Sequence, residues 1–103
     1  MTHGKLVRDR IPEIIESKGE RAVSRRLTDE EYEPALLDKL LEESQELALA
    51  ESRQDRLEEA ADVYEVLVAI ARMSGFDFAE VEFAAERKRA ERGGFYDRIW
   101  LDS

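Results

Sequence analysis

Two long stretches of helical period meet at a link only a few residues long, and no other feature limits the possible folds of this chain so strongly. In the first stretch Leu36, Leu37, Leu40, Leu41, Leu47 and Ala48 form an apolar stripe along one face. The second, residues 53–73, ends in VLVAIARM, apolar almost all round, as expected of a buried central helix. Ser52 and Asp55 have the spacing of a cap that starts it. A link this short folds the two helices back antiparallel as a hairpin.

The start of the first stretch has two readings. Thr28 and Glu31 have capping-box spacing, which begins a helix there and carries it to about Glu51. Pro34 lies inside that span, where its missing N–H kinks or restarts a helix, so the regular part begins either at the cap or at Pro34 itself. Ahead of it, Pro12 suits the first turn of a short helix, PEIIESK, with Ile14 and Ile15 inward and Gly19 as its end. Residues 21–27 are expected to be extended or a loop. Beyond the hairpin, Gly75 stops the central helix, Asp77 with Glu80 caps a fourth that continues to Arg92, and Gly93-Gly94 ends it. The tail FYDRIWL, residues 95–101, is too apolar for a free end and is expected to dock on the bundle or on another subunit. The prediction is one all-α domain over residues 1–103, an antiparallel helical bundle whose small core is completed by homo-oligomerisation, as a homodimer or homotetramer.

Charge narrows the partners. Lysine and arginine number 16 against 25 aspartates and glutamates, a formal net charge of −9. That balance disfavours nucleic-acid polymers and anionic membranes and suits a cation or a cation-bridged ligand. The chain has no cysteine and no long uncharged apolar run, so a cytoplasmic location is expected. The single histidine, His3, falls in what reads as a loose amino terminus, which leaves any chemistry to carboxylates and basic groups.

The carboxylates have a pattern of their own. Glu43 and Glu46 on the first helix of the hairpin, and Glu59 and Asp62 on the second, stand symmetrically about the turn, Glu43 level with Asp62 and Glu46 level with Glu59. A spacing of three residues puts each pair on one face, roughly 4.5 Å apart along the axis. Val66 and Ala69 continue the strip of Glu59 and Asp62 into the apolar half of their helix, so these acids point toward the core. Glu43 lies beside the leucine stripe and Glu46 further round toward solvent. Crowded, partly desolvated carboxylates repel one another unless protons, arginines or metal ions compensate. Oxygen-only ligation favours a hard cation, Mg²⁺ with Mn²⁺ as a substitute. Glu65 extends the strip; Glu42 and Glu58 each precede a member of the set and either face solvent or reach a second ion. A helical acidic face is more often solvated surface, and only the mirrored placement raises this one above that reading.

The run E-E-S-Q-E, residues 42–46, followed by E-A-A-D, residues 59–62, resembles the E-x-x-E and E-x-x-D signature of the all-α nucleotide pyrophosphohydrolases: MazG-like proteins, phosphoribosyl-ATP pyrophosphohydrolases and dimeric dUTPases. KLVRDRIPEII, residues 5–15, and ERGGFYDRIWL, residues 91–101, are similar to a short-chain MazG-like or phosphoribosyl-ATP pyrophosphohydrolase-like branch. The resemblance implies Mg²⁺-dependent cleavage between the α and β phosphates of a nucleoside triphosphate, giving a monophosphate and pyrophosphate. Glu43, Glu46, Glu59 and Asp62 match the metal-binding positions, and Glu43 or Glu42 is expected to accept the proton of the attacking water.

Polyphosphate needs cations beside so negative a site. Lys5, Arg8 and Arg10 precede the first helix, and Arg87, Lys88, Arg89 and Arg92 end the fourth. Lys5, Arg8, Lys88 and Arg92 are the expected phosphate contacts; Lys5, Arg8 and Arg92 fall within the stretches that resemble the branch, and Lys88 lies just ahead of the second. The opening KLVRDRIP departs from the histidine-biosynthetic members, and the single motif set departs from full MazG proteins. Hydrolysis of phosphoribosyl-ATP and a noncatalytic helical module that binds nucleotide or protein are the alternatives.

Overall fold

Four helices carry the chain in the computed structural model, which describes residues 4–102: α1 (Ile11–Ser17), α2 (Asp29–Leu49), α3 (Arg53–Met73) and α4 (Phe78–Arg92). No strand occurs among the described residues, so the fold is all-α. His3 lies outside the described residues.

Each boundary has a local cause. Pro12 occupies the first turn of α1, and Gly19, at φ 84°, lets the chain turn back so that its N–H reaches the Glu16 carbonyl while the Glu20 N–H reaches Ile15. The Thr28 hydroxyl accepts from the Glu31 N–H at 3.3 Å and the Glu31 carboxylate accepts from the Thr28 N–H at 2.9 Å. Arg25 grips both oxygens of Glu31, at 3.0 and 2.9 Å. This anchored start decides the question of Pro34: α2 begins at Asp29 and runs through the proline without a restart. Pro34 deprives only the Glu30 carbonyl of its helical partner, and both residues are exposed, so water can serve that carbonyl. The helix ends at Leu49, short of Glu51.

Ala50, Glu51 and Ser52 make the turn of the hairpin. The Ser52 hydroxyl accepts from the Asp55 N–H at 3.0 Å, and Arg56 Nε donates to the Ala50 carbonyl at 3.1 Å, tying the new helix back across the link. Helices α2 and α3 pack along their length; α4 packs on α3 alone, and α1 packs on no other helix. Tyr64 and Phe78, with ring centroids 4.9 Å apart and planes tilted by 60°, join α3 to α4.

The core is much smaller than the apolar content would fill. Leu36, Val66 and Ala71 are the buried apolar residues among those described. The expectation that VLVAIARM is buried all round therefore fails within a single chain: Val66 and Ala71 are covered, but Leu67 is 37% exposed. Ile14 is likewise exposed rather than packed inward. The tail does not dock on its own bundle, for Phe95, Tyr96, Ile99, Trp100 and Leu101 are all largely exposed. The radius of gyration is 17.4 Å, whereas a compact chain of this length has about 13 Å. Accessible surface is 9542 Å², against about 5,900 Å² for a compact monomer of this mass. No helix among the described residues is long and apolar enough to cross a membrane.

Candidate metal centre

The capped, antiparallel hairpin brings carboxylates from both its helices to one place. Glu43 and Glu46 come from α2 and Glu59 from α3, and one oxygen of each lies within 4.8 Å of the others. Two oxygens on opposite sides of an octahedral Mg²⁺ stand about 4.2 Å apart, so little side-chain movement separates this trio from a ligand shell. Glu43 is buried, 7% exposed, Glu59 is partly covered and Glu46 faces solvent, which agrees with their places on the helical wheel.

Glu43 Oε2 and Glu59 Oε1 are both shut off from solvent and have no hydrogen-bond partner. Burial raises the pKa of Glu43 above the ordinary carboxylate range, the anions Glu46 and Asp62 raise it further, and Lys39 opposes them. Glu59 is raised likewise, first by loss of hydration around its carboxylate and then by Glu46, Asp62 and Glu43. Shielded carboxylate oxygens without partners are costly in a folded protein and mark a place where a proton or a cation belongs. The donor set, oxygen alone, fits a hard divalent ion.

Asp62 stands beside this trio but is turned to another partner: its Oδ1 accepts from Arg8 Nη2 at 2.6 Å. Three of the four acids that mirror one another in sequence are thus brought together, and the fourth is held by a guanidinium. Glu42 is turned toward Lys39, whose Nζ lies 3.4 Å from its Oε1 and 3.5 Å from Glu43 Oε1. Lys39 was not among the expected site cations. Its signal was in the spacing, because it precedes Glu42 by three residues and Glu43 by four on one helix face.

A cleft of about 690 Å³ runs from the acids along the hairpin, between the segment that leads into α1 and the faces of α2 and α3. Leu6, Val7, Ile11 and Ile14 line it from one side, Tyr32, Leu36, Val66 and Met73 from the other, and Glu43, Asp62 and Glu65 also contribute to its wall. Its cations are Arg8, Arg10, Lys39 and Arg72. Lys5, Lys88 and Arg92 do not line it. The last two are exposed on α4, which leaves α2 uncontacted, so within one chain the expected convergence of the carboxy-terminal basic cluster on the acids does not occur.

No family model matches the chain. A curated protein of Mycolicibacterium smegmatis, described only as uncharacterized, is 52% identical over 54 residues, which cover 52% of this chain and 55% of that protein. The match thus spans about half the length of that relative. No solved structure matches.

Proposed function

We propose that this protein is a Mg²⁺-dependent nucleotide pyrophosphohydrolase, which cleaves the α–β anhydride of a nucleoside triphosphate to give a nucleoside monophosphate and pyrophosphate. The observation that carries this reading is the meeting of Glu43, Glu46 and Glu59, with two of their oxygens shielded and unpartnered. An ion held there would neutralise phosphate oxygens and acidify the attacking water. The side chains of this protein do the rest. Glu43, Glu46 and Glu59 would hold the ion, and Asp62 would complete the set on release from Arg8. Lys39 contacts one oxygen of Glu42 and one of Glu43 and does not choose between the two expected proton acceptors; Glu43 is favoured because its Oε2 is shielded and unpartnered and burial has strengthened its affinity for a proton. Lys39 and Arg8 supply positive charge for phosphate at the acid-lined part of the cleft, and its apolar walls receive the nucleoside.

The same reading takes the active form to be a homodimer or homotetramer in the cytoplasm, working on the nucleotide pool. The accessible surface in excess of a compact monomer, about 3,600 Å² per chain, is more than enough to supply an obligate interface, which covers roughly 1,000–2,500 Å² of each partner. A partner chain is also the source from which Lys88 and Arg92 would reach a site they do not approach in their own chain.

A panel of canonical and modified nucleoside triphosphates, assayed for pyrophosphate release with and without Mg²⁺, tests the assignment. Turnover that needs Mg²⁺ and disappears in Glu59→Gln supports it. Folded protein that turns over no member defeats it and leaves the noncatalytic module, and a Glu59→Gln variant as active as the parent defeats it by removing the metal centre from the reaction. Rescue of a histidine-requiring strain would move the substrate to phosphoribosyl-ATP.

A further inference from the structure

The contact between Arg8 and Asp62 differs from every other ion pair among the described residues. The others join side chains at most six positions apart, whereas this one spans 54. It also joins the segment ahead of α1 to α3, which no other ion pair among the described residues does. Helix α1 packs on no other helix, and its first turn with the segment ahead of it forms one wall of the cleft while α2 and α3 form the other. Arg8 is the polar tie across that cleft, and it ends on the acid that mirrors Glu43.

Asp62 belongs electrostatically to the carboxylate group, since its charge reaches both Glu43 and Glu59. A group this acidic, with no ion bound, gains from a cation of its own. The guanidinium is such a cation, and it sits where a fourth ligand oxygen would otherwise be free. Both side chains are partly exposed, 56% for Arg8 and 38% for Asp62, so the pair is weak enough for a divalent ion to displace.

We propose that Arg8 is a resident counter-ion for Asp62 that the divalent cation displaces, so that metal binding both completes the ligand set and hands the guanidinium to the phosphates of the nucleotide. The proposal rests on the metal-centre reading and deepens it: Arg8 is a positioning residue that keeps Asp62 in place until the ion arrives, and a phosphate contact afterwards. The order of events follows, with ion first and substrate second, because before the ion binds Arg8 is committed to a carboxylate.

Titration calorimetry with Mg²⁺ alone, on the full chain, separates the possibilities. Arg8→Gln removes the competitor and should tighten Mg²⁺ binding about two- to fivefold, the equivalent of an exposed ion pair. The same variant should raise KM for a nucleotide more than it lowers kcat. Arg8→Lys, which keeps the charge without the fork, should fall between. In the parent protein Mg²⁺ should speed hydrogen exchange in residues 6–17 as the tie across the cleft is released. A merely structural arginine predicts the opposite sign, with weaker ion binding when it is lost. Equal or weaker Mg²⁺ affinity in Arg8→Gln overturns the counter-ion role while leaving the metal centre standing. Absence of Mg²⁺ binding in the parent and both variants overturns the metal centre and this proposal together.

Discussion

Glu43 on α2 and Glu59 on α3 each hold one carboxylate oxygen away from solvent without a partner, Oε2 of the first and Oε1 of the second. Leucine packing alone offers no reason to place acids there. The hairpin bears an electrostatic cost at its centre, and the size and sign of that cost can be measured.

Mg²⁺ should stabilise the fold. An ion that binds the native state alone adds about 2.7 kcal/mol at a hundredfold excess over its Kd. For a chain of this size each kilocalorie moves Tm by roughly 4–8 °C. Thermal melts in increasing Mg²⁺ should climb accordingly, and Glu59→Gln should flatten the response. A parent melt indifferent to millimolar Mg²⁺, at constant ionic strength, counts directly against a preformed site.

Glu43→Gln should separate stability from function. Without Mg²⁺ the substitution removes a shielded charge that Glu46 and Asp62 repel, and the contact with Lys39, partly exposed to screening, does not offset that repulsion. The variant should melt higher than the parent in chelator by on the order of 1 kcal/mol, yet gain nothing from Mg²⁺ and hydrolyse no nucleotide. The pH dependence has a definite sign. Because the native-state pKa of Glu43 lies above its unfolded value, the penalty is absent at pH values low enough to protonate the group in both states. It grows as pH rises from the unfolded pKa through the raised one and is constant above it. The advantage of Glu43→Gln should therefore shrink on acidification. A variant that melts below the parent in chelator at neutral pH would show that Lys39 outweighs the repulsion.

How far the molecule could be read from its sequence depends on whether the deciding interaction was local. Thr28, Glu31, Ser52, Asp55 and Gly75 act within a few residues of themselves, and the helix limits they imply agree with the structure to within about two residues. Pro34 was ambiguous because its effect depends on how firmly the preceding turn is held, and Arg25, outside the capping motif, supplies part of that hold. The mirrored placement of Glu43, Glu46 and Glu59 follows from the short turn and helical period, both visible in the letters. The engagement of Asp62 by Arg8 was not visible, since no periodicity links residues so far apart on different elements. For the same reason the exposure of VLVAIARM and the failure of Lys88 and Arg92 to reach the acids depend on tertiary placement, which local spacing does not report.

The cap of α2 gives a prediction independent of the metal centre. Thr28→Ala removes the acceptor for the Glu31 N–H and should cost about 1 kcal/mol. Arg25 and the Thr28 N–H hold the Glu31 carboxyl down to about 2. Its folded pKa is depressed, so the stabilisation is present above the unfolded value and is lost as pH falls from the ordinary carboxylate range toward about 2. Acid melts of the parent should show this loss, and Arg25→Gln should already lack most of it at neutral pH. Coincident acid profiles for the two proteins would remove Arg25 from the account.

The tail provides the test of assembly. Trp100, the one tryptophan of the chain, is 84% exposed in a single copy, and Phe95, Tyr96, Ile99 and Leu101 surround it in sequence with equally little cover. Apolar side chains grouped so closely at a surface gain on the order of 25 cal/mol for each square ångström removed from water, enough to drive association when several act together. If a second copy supplies that cover, Trp100 emission should move to shorter wavelength as protein concentration rises, in step with the mass from sedimentation equilibrium. Trp100→Ala should then shift the association to higher concentration. Leu67→Asp should do the same if the half-covered face of α3 lies in the same interface, because a charge buried between copies has no partner there. Sedimentation at the mass of one chain over the whole concentration range, with unchanged emission, would leave the open hairpin as the working form. Lys88 and Arg92 would then have no route to the phosphates from a neighbouring chain.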